Sequence, residues 1–207
     1  MKSIQSSDLN ISQKKVLIRL DLNVPLNGKK IVDTNRIDKI IPTLNYLLKN
    51  NAKIIILSHI GRPKGKVVNE LSLEPVREDL IKKLDQKIIL INQNINKIKV
   101  EDFFKKDCNI IMLENLRFYK EEENDDIDFA KNLAKLADIY VNEAFSCSHR
   151  KHASVHSITK FIPSYSGIQL ELEVNSLKKI TENIKRPISC IIGGSKISTK
   201  INVIKNL

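Results

Sequence analysis

The chain has 207 residues, 42% of them apolar and 29% charged, with a formal net charge of +11. That balance describes a globular chain able to bury a sizeable core without staples, and aromatics at 5% leave few platforms for stacking nucleic-acid bases. Three scattered cysteines without a C-x-x-C indicate no disulfide framework, the first octet lacks the apolar core of a signal peptide, and the apolar runs are too short to span a bilayer, so a cytoplasmic location is expected.

The first strand is expected over residues 16–20, ended by Pro25 in Arg19-Leu20-Asp21-Leu22-Asn23-Val24-Pro25. Asp21 and Asn23 either project into a crevice, where they suit a hydroxyl, or cap a turn; both readings stay open. A helix follows Asp33-Thr34-Asn35 toward Asn50, with Pro42 predicting a kink or a late start. The second strand, over 53–58, runs into Ser58-His59-Ile60-Gly61-Arg62-Pro63-Lys64-Gly65, which is either an ordinary surface loop or a site where glycines admit a ligand and cations hold its charge, the second reading fitting the residues better. A helix over 72–84, a strand over 87–91 and a short helix over Val100–Phe104 come next. The strand over 109–113 leads to Glu114-Asn115-Leu116-Arg117, where Arg117 is either a ligand group or an ion-pair partner of Glu114. The acidic run from Glu121 to Asp128 reads as a solvated loop rather than a metal site, its later acids favouring the start of a helix over 127–136.

A strand over 139–142 opens onto Ser146-Cys147-Ser148-His149-Arg150-Lys151-His152. His149, His152 and His156 have helical spacing, but no carboxylate or thiolate completes a zinc set, and Cys147 lacks the third group a thiol nucleophile needs. A cationic cluster for an anion fits better. A long amphipathic helix is expected over 168–183, then a strand over 189–192 and a helix opening after Gly193-Gly194. Exposed N–H groups there favour a phosphate, with Lys196 and Lys200 on one helix face, although neither a P-loop nor a G-x-G-x-x-G is present. A glycine-bearing turn with two solvated lysines is the equal alternative.

Strand–helix alternation with near-continuous apolar strands predicts an α/β fold: a doubly wound parallel sheet with helices on both faces, Rossmann-like. Lysine outnumbers arginine 28 to 7, yet Arg36, Arg62, Arg117 and Arg150 all stand in or just after loops that follow predicted strands. Such loops converge on one crevice, and arginine's rigid fork suits phosphate and carboxylate oxygens.

In this order the stretches RLDLNVPL, NRIDKIIPTL, SHIGRPKG, LSLEPV, LENLRFYKEEE, YVNEAFSCSHRKHAS and IIGGSKISTKI closely resemble phosphoglycerate kinase. The resemblance implies a substrate lobe over 1–167, an interdomain helix over 168–186, and the first βα unit of a second, truncated nucleotide lobe over 187–207. It implies phosphoryl transfer between 1,3-bisphosphoglycerate and ADP, giving 3-phosphoglycerate and ATP with Mg2+, and a monomer. It places Asp21 and Asn23 on the glycerate. Arg36, His59, Arg62, Arg117 and Arg150 form a basic patch with His149 beside it; Arg36 and Lys196 act on the transferring phosphoryl group, and Gly193, Gly194, Lys196 and Lys200 hold the nucleotide. No magnesium carboxylate is implied within these residues. Glu143, Ser146-Cys147-Ser148 and Thr199 depart from the common pattern. The resemblance implies binding without turnover by these 207 residues; the alternatives are a stand-alone anion- or nucleic-acid-binding module, and a split protein whose other half is a second chain.

Overall fold

The structure is a computed structural model and describes residues 2–104, 108–182, 186–187, 189 and 191. Its contacts divide the chain into a unit Met1–Glu171 and a unit Leu172–Leu207. The first unit holds β1 (Lys15–Leu20), the hairpin strands β2 (Leu26–Asn27) and β3 (Lys30–Ile31), α1 (Asn35–Lys49), β4 (Lys53–Leu57) and α2 (Glu74–Leu84). It continues with β5 (Ile88–Ile91), α3 (Val100–Phe104), β6 (Ile110–Leu113), α4 (Lys120–Glu123), α5 (Ile127–Ala134), β7 (Ile139–Glu143) and β8 (Ser164–Ser166). Helix α6 (Ile168–Thr181) begins in the first unit and ends in the second.

Six strands form one sheet in the order β5-β6-β4-β1-β7-β8, and every neighbouring pair is parallel. Both faces are covered, which is why the strands read as unbroken apolar runs. The two-residue alternation sorts them. Val16, Ile18, Ile54, Ile56, Ile110 and Met112 pack with Ile37, Leu44 and Leu47 of α1 and Val76 and Leu80 of α2. Leu17, Ile55, Leu57, Ile111 and Tyr140 pack on the other face with Phe129, Ala130 and Leu133 of α5. Arg19 shares the parity of Leu17 and so enters this second, otherwise apolar layer, fully buried.

The chain leaves β1 toward β4 and, after β6, returns to the other side of β1 as β7. Loops after β1, β4, β6 and β7 therefore meet beyond the carboxyl ends, at the point where strand order reverses. Among the described residues no helix is long and apolar enough to cross a membrane.

Several expectations need correction. Helix α1 runs unbroken through Pro42 and starts where the capping cluster predicts; Asp33 accepts from Asn35 N–H, while Thr34 bonds Asp38 instead of capping. The helix expected from near Ser72 begins at Glu74 after Leu73; just before it the Ser72 hydroxyl accepts from Glu74 N–H and donates to Glu114. Strand β8 and the β2–β3 hairpin go unsignalled: each is two or three residues, too short for a period to show. Beside β8, Ser3 forms a parallel bridge to Ser166 and Ile4 N–H donates to its carbonyl, so the amino-terminal segment covers that sheet edge. The acidic run is mostly solvent-facing and Asp126 caps α5 as expected, but Glu121–Glu123 lie in α4 rather than a loop and Glu122 is 0% exposed. The strand expected over 189–192 lies largely, and the helix after Gly194 wholly, outside the described residues.

Candidate functional site

Beyond the carboxyl ends of the central strands lies a cavity of about 200 Å³. Asp21 and Asn23 reach it from the loop after β1, and Arg36 from the first turn of α1. His59 and Arg62 come from the loop after β4, and Arg117 from the turn after β6. Ser146, Cys147 and Arg150 come from the segment after β7. Of the substrate-side residues singled out in the sequence, His149 is absent from this lining; it sits exposed between Ser148 and Arg150. Gly193, Gly194, Lys196 and Lys200 lie outside the described residues.

The lining carries four guanidinium groups and one carboxylate, a net charge of three positive units. A larger cleft of about 550 Å³ has the opposite character: Glu70, Glu74, Glu78 and Glu114 line it with Lys29. Its sign is wrong for an anion, so volume does not decide where one binds.

Each wall of the small cavity is tied down. The Ser58 hydroxyl donates to Leu20 O at 2.9 Å and accepts from Leu22 N–H at 3.2 Å, joining the ends of β1 and β4. Asn23 Oδ1 accepts from Gly61 N–H at 2.9 Å. Gly61 has φ +65°, and a Cβ there would lie 2.7 Å from the Leu71 side chain, so the turn that presents Arg62 requires glycine. Asn115 is fully buried; its amide donates to Ile60 O and Leu71 O, both at 2.8 Å, and its Oδ1 accepts from Arg117 N–H. It thereby fixes the His59–Arg62 loop against the Arg117 turn.

Arg117 is not the partner of Glu114, whose carboxylate is taken by Ser72, Leu73 N–H and Asn115 N–H. Its Nη1 instead donates to Gly61 O at 2.7 Å, and its Nε lies 3.5 Å from Glu123. The Nε has no hydrogen-bond partner although the side chain is only 4% exposed, so a buried donor is left for a ligand or water. Burial depresses this guanidinium's pKa and Glu123 opposes the shift. Asp21 does not stand open: Arg36 and Ser146 both donate to its Oδ2. A ligand entering the cavity competes with Asp21 for Arg36.

His59 is the main electrostatic correction. It is 3% exposed, and its Nδ1 lies 2.7 Å from Nη2 of Arg19. An arginine nitrogen only donates, so Nδ1 accepts and the ring is uncharged. Burial above all, then the charges of Arg19 and Arg117, push its pKa far below the usual imidazole range. His59 therefore contributes a hydrogen bond to this cavity, not a charge.

The three histidines with helical spacing are not on a helix; His149 and His156 lie in turns and His152 in irregular backbone between them. His152 Nδ1 lies 3.9 Å from Glu122, and His156 Nδ1 lies 2.6 Å from Asp125. Among the described residues no three His, Cys, Asp or Glu side chains are grouped to hold a metal. Cys147 is buried, with Ser146 Oγ 3.6 Å from its sulfur, and among the described residues no histidine is hydrogen-bonded to it.

Sequence reading missed Arg19, Glu122, Ser154 and Asn115. One signal was available for Arg19: a charged residue inside an apolar parallel strand needs a buried partner. The other three carry no local mark.

Comparison with known proteins places these observations in a family. The family profile described as Phosphoglycerate kinase matches residues 6–207. The chain is 44% identical over 208 residues to the phosphoglycerate kinase of Bartonella bacilliformis, covering 100% of this chain and 52% of that protein. It is 49% identical over 206 residues to that of Wolbachia pipientis wMel, covering 99% and 51%. Among solved structures, phosphoglycerate kinase from Coxiella burnetii superposes with a TM-score of 0.85 at 38% identity, over 96% of this chain and 50% of that one. Phosphoglycerate kinase from Pyrococcus horikoshii gives 0.85 at 28% identity, over 99% and 52%. The chain thus spans about half the length of the relatives it matches.

Proposed function

Because the chain belongs to the phosphoglycerate kinase family, we propose that residues 1–167 are the lobe that binds 3-phosphoglycerate for phosphoryl transfer between 1,3-bisphosphoglycerate and ADP. In the same reading residues 168–186 form an interdomain helix and residues 187–207 begin the nucleotide lobe. The observation that carries the substrate assignment is the cavity where Arg36, Arg62, Arg117 and Arg150 converge from four separate segments. A phosphate carries about −1.5 to −2 near neutral pH and the carboxylate adds one more, which matches the net charge of the lining.

The chemistry needs little beyond that. In the direction of ATP use, the attacking group is an already ionised carboxylate oxygen, so no general base is required. The lobe's task is to hold a small, highly charged ligand in one orientation and to cancel its charge. Arg62, Arg117 and Arg150 take the phosphate and carboxylate oxygens. Arg36, drawn off Asp21, stabilises the transferring phosphoryl group. Asp21 and Asn23 then meet the glycerate hydroxyl, and His59 adds a neutral N–H. Gly193, Gly194, Lys196 and Lys200 take the nucleotide phosphates, with Lys196 following the group in transfer. ADP or ATP would arrive with Mg2+; the described residues offer no cluster to hold that ion, and no step here is assigned to it. Since the relatives are about twice as long, these 207 residues by themselves are expected to bind and not to turn over.

Comparative titration tests the reading. Residues 1–207 should bind 3-phosphoglycerate more tightly than glycerate or inorganic phosphate, because each of those lacks one of the two anions. Equal affinity for 3-phosphoglycerate and inorganic phosphate would contradict it.

A further inference from the structure

A line of buried polar side chains runs away from the cavity through the second core layer. Arg19 and Ser154 are 0% exposed, as is Glu122, and His59 is 3% exposed. Arg19 donates from all three nitrogens: Nη2 to His59 Nδ1 at 2.7 Å, Nε to Ser154 Oγ at 3.0 Å and Nη1 to Leu20 O at 2.5 Å. Ser154 Oγ accepts from that Nε, so its own proton is free to go to Glu122 Oε1 at 2.6 Å. Glu122 Oε2 accepts from Ser154 N–H at 2.9 Å, and Tyr140 of β7 donates its hydroxyl to Ser154 O at 2.7 Å. Arg19 donates both ways along this line, to His59 and to Ser154, and because a guanidinium only donates, its bond to Nδ1 leaves the His59 proton on Nε2.

We propose that Ser154 and Glu122 are positioning residues for the cavity: acting through Arg19, they hold His59 as an uncharged ring whose Nε2 carries the proton. Glu122 offsets the buried charge of Arg19, and Ser154 sets the rotation of its guanidinium. With its three nitrogens committed, that guanidinium keeps a donor on Nδ1. The groups that face His59 are Arg19 from β1, Arg117 after β6, and Arg150 and His152 after β7. The three arginines disfavour a second proton, and His152 adds no negative charge to favour one. The cavity therefore presents the same hydrogen-bond donor across the pH range in which a free imidazole would titrate. The ligand atom opposite it has to be an acceptor oxygen.

The role in binding rests on the 3-phosphoglycerate reading, and the proton position does not, so two measurements on the 207-residue chain separate them. The first is nitrogen NMR of the histidine rings from about pH 5 to about pH 8. His59 should stay neutral with the proton on Nε2 and a hydrogen-bonded Nδ1. A doubly protonated His59 within that range, or a proton on Nδ1, overturns the proposal. The second compares Ser154→Ala with Ser154→Thr. The alanine variant should mix both His59 tautomers and bind 3-phosphoglycerate about tenfold more weakly. The threonine variant keeps the hydroxyl and should restore both. An alanine variant with the wild-type tautomer overturns the positioning role, whereas a tautomer change in a chain that never bound 3-phosphoglycerate overturns the ligand assignment instead.

Discussion

Glu122 and Arg19 are each fully buried, and neither would be tolerable alone. Glu122→Ala leaves the Arg19 charge without its offset and strips Ser154 of its acceptor. The expected cost is about 3–5 kcal/mol in urea unfolding, and a loss near that of an exposed Glu121→Ala would refute the buried pairing. His59 makes a prediction about pH. Its folded pKa lies far below the unfolded value of about 6.5, so the unfolded chain takes up one more proton in acid. Its contribution to stability is complete above about pH 6.5 and is lost as pH falls below that value. The loss is about 1.4 kcal/mol per pH unit. His59→Asn keeps an acceptor for Arg19 and removes the titration, so the difference between wild type and variant should shrink steadily from pH 7 to pH 5. A constant difference would mean that His59 titrates alike in the folded and unfolded chain. At this scale the sequence was legible wherever chemistry stands apart from its surroundings. Arginines in a lysine-rich chain mark Arg36, Arg62, Arg117 and Arg150. Glu122 could not be read, because it stands among Glu121 and Glu123 and only a contact 32 residues away distinguishes it.

At the level of elements, one junction links the sheet to its last helix. Glu143 ends β7, and its buried carboxylate accepts from Gln169 N–H at 3.0 Å and Leu170 N–H at 2.9 Å, in the first turn of α6. Thr43 of α1 donates to the same carboxylate. Burial pushes the Glu143 pKa up, against those three hydrogen bonds. The carboxylate occupies the space a side chain on residue 167 would need: a Cβ on Gly167 would lie 2.1 Å from Glu143 Oε2. Gly167→Ala should therefore displace Glu143 and cost about 1–3 kcal/mol, measured by thermal unfolding. No change in midpoint would show that α6 starts without this cap. The major strands were legible as apolar runs of four or more residues, and α1 by its helical period and capping cluster. What sets the start of α6 was not, since a glutamate in a strand does not announce which helix it will cap.

For the molecule as a whole, the net charge of +11 is a poor guide to function. Lys39, Lys49 and Lys131 are exposed on helices, away from the cavity lining. A nucleic-acid-binding module would use such dispersed charge, and a built anion site would not. The topology explains why this distinction is hard to see in sequence: four arginines spread between residues 36 and 150 meet only because the loops after β1, β4, β6 and β7 share one end of a parallel sheet. The most direct test is calorimetric titration with 3-phosphoglycerate of wild type, Arg36→Ala and the triple variant Lys39→Ala, Lys49→Ala, Lys131→Ala. The account expects saturable binding in wild type and in the triple lysine variant, and its loss in Arg36→Ala. A folded wild type that does not bind, or a lysine variant that loses affinity as far as Arg36→Ala does, would contradict it.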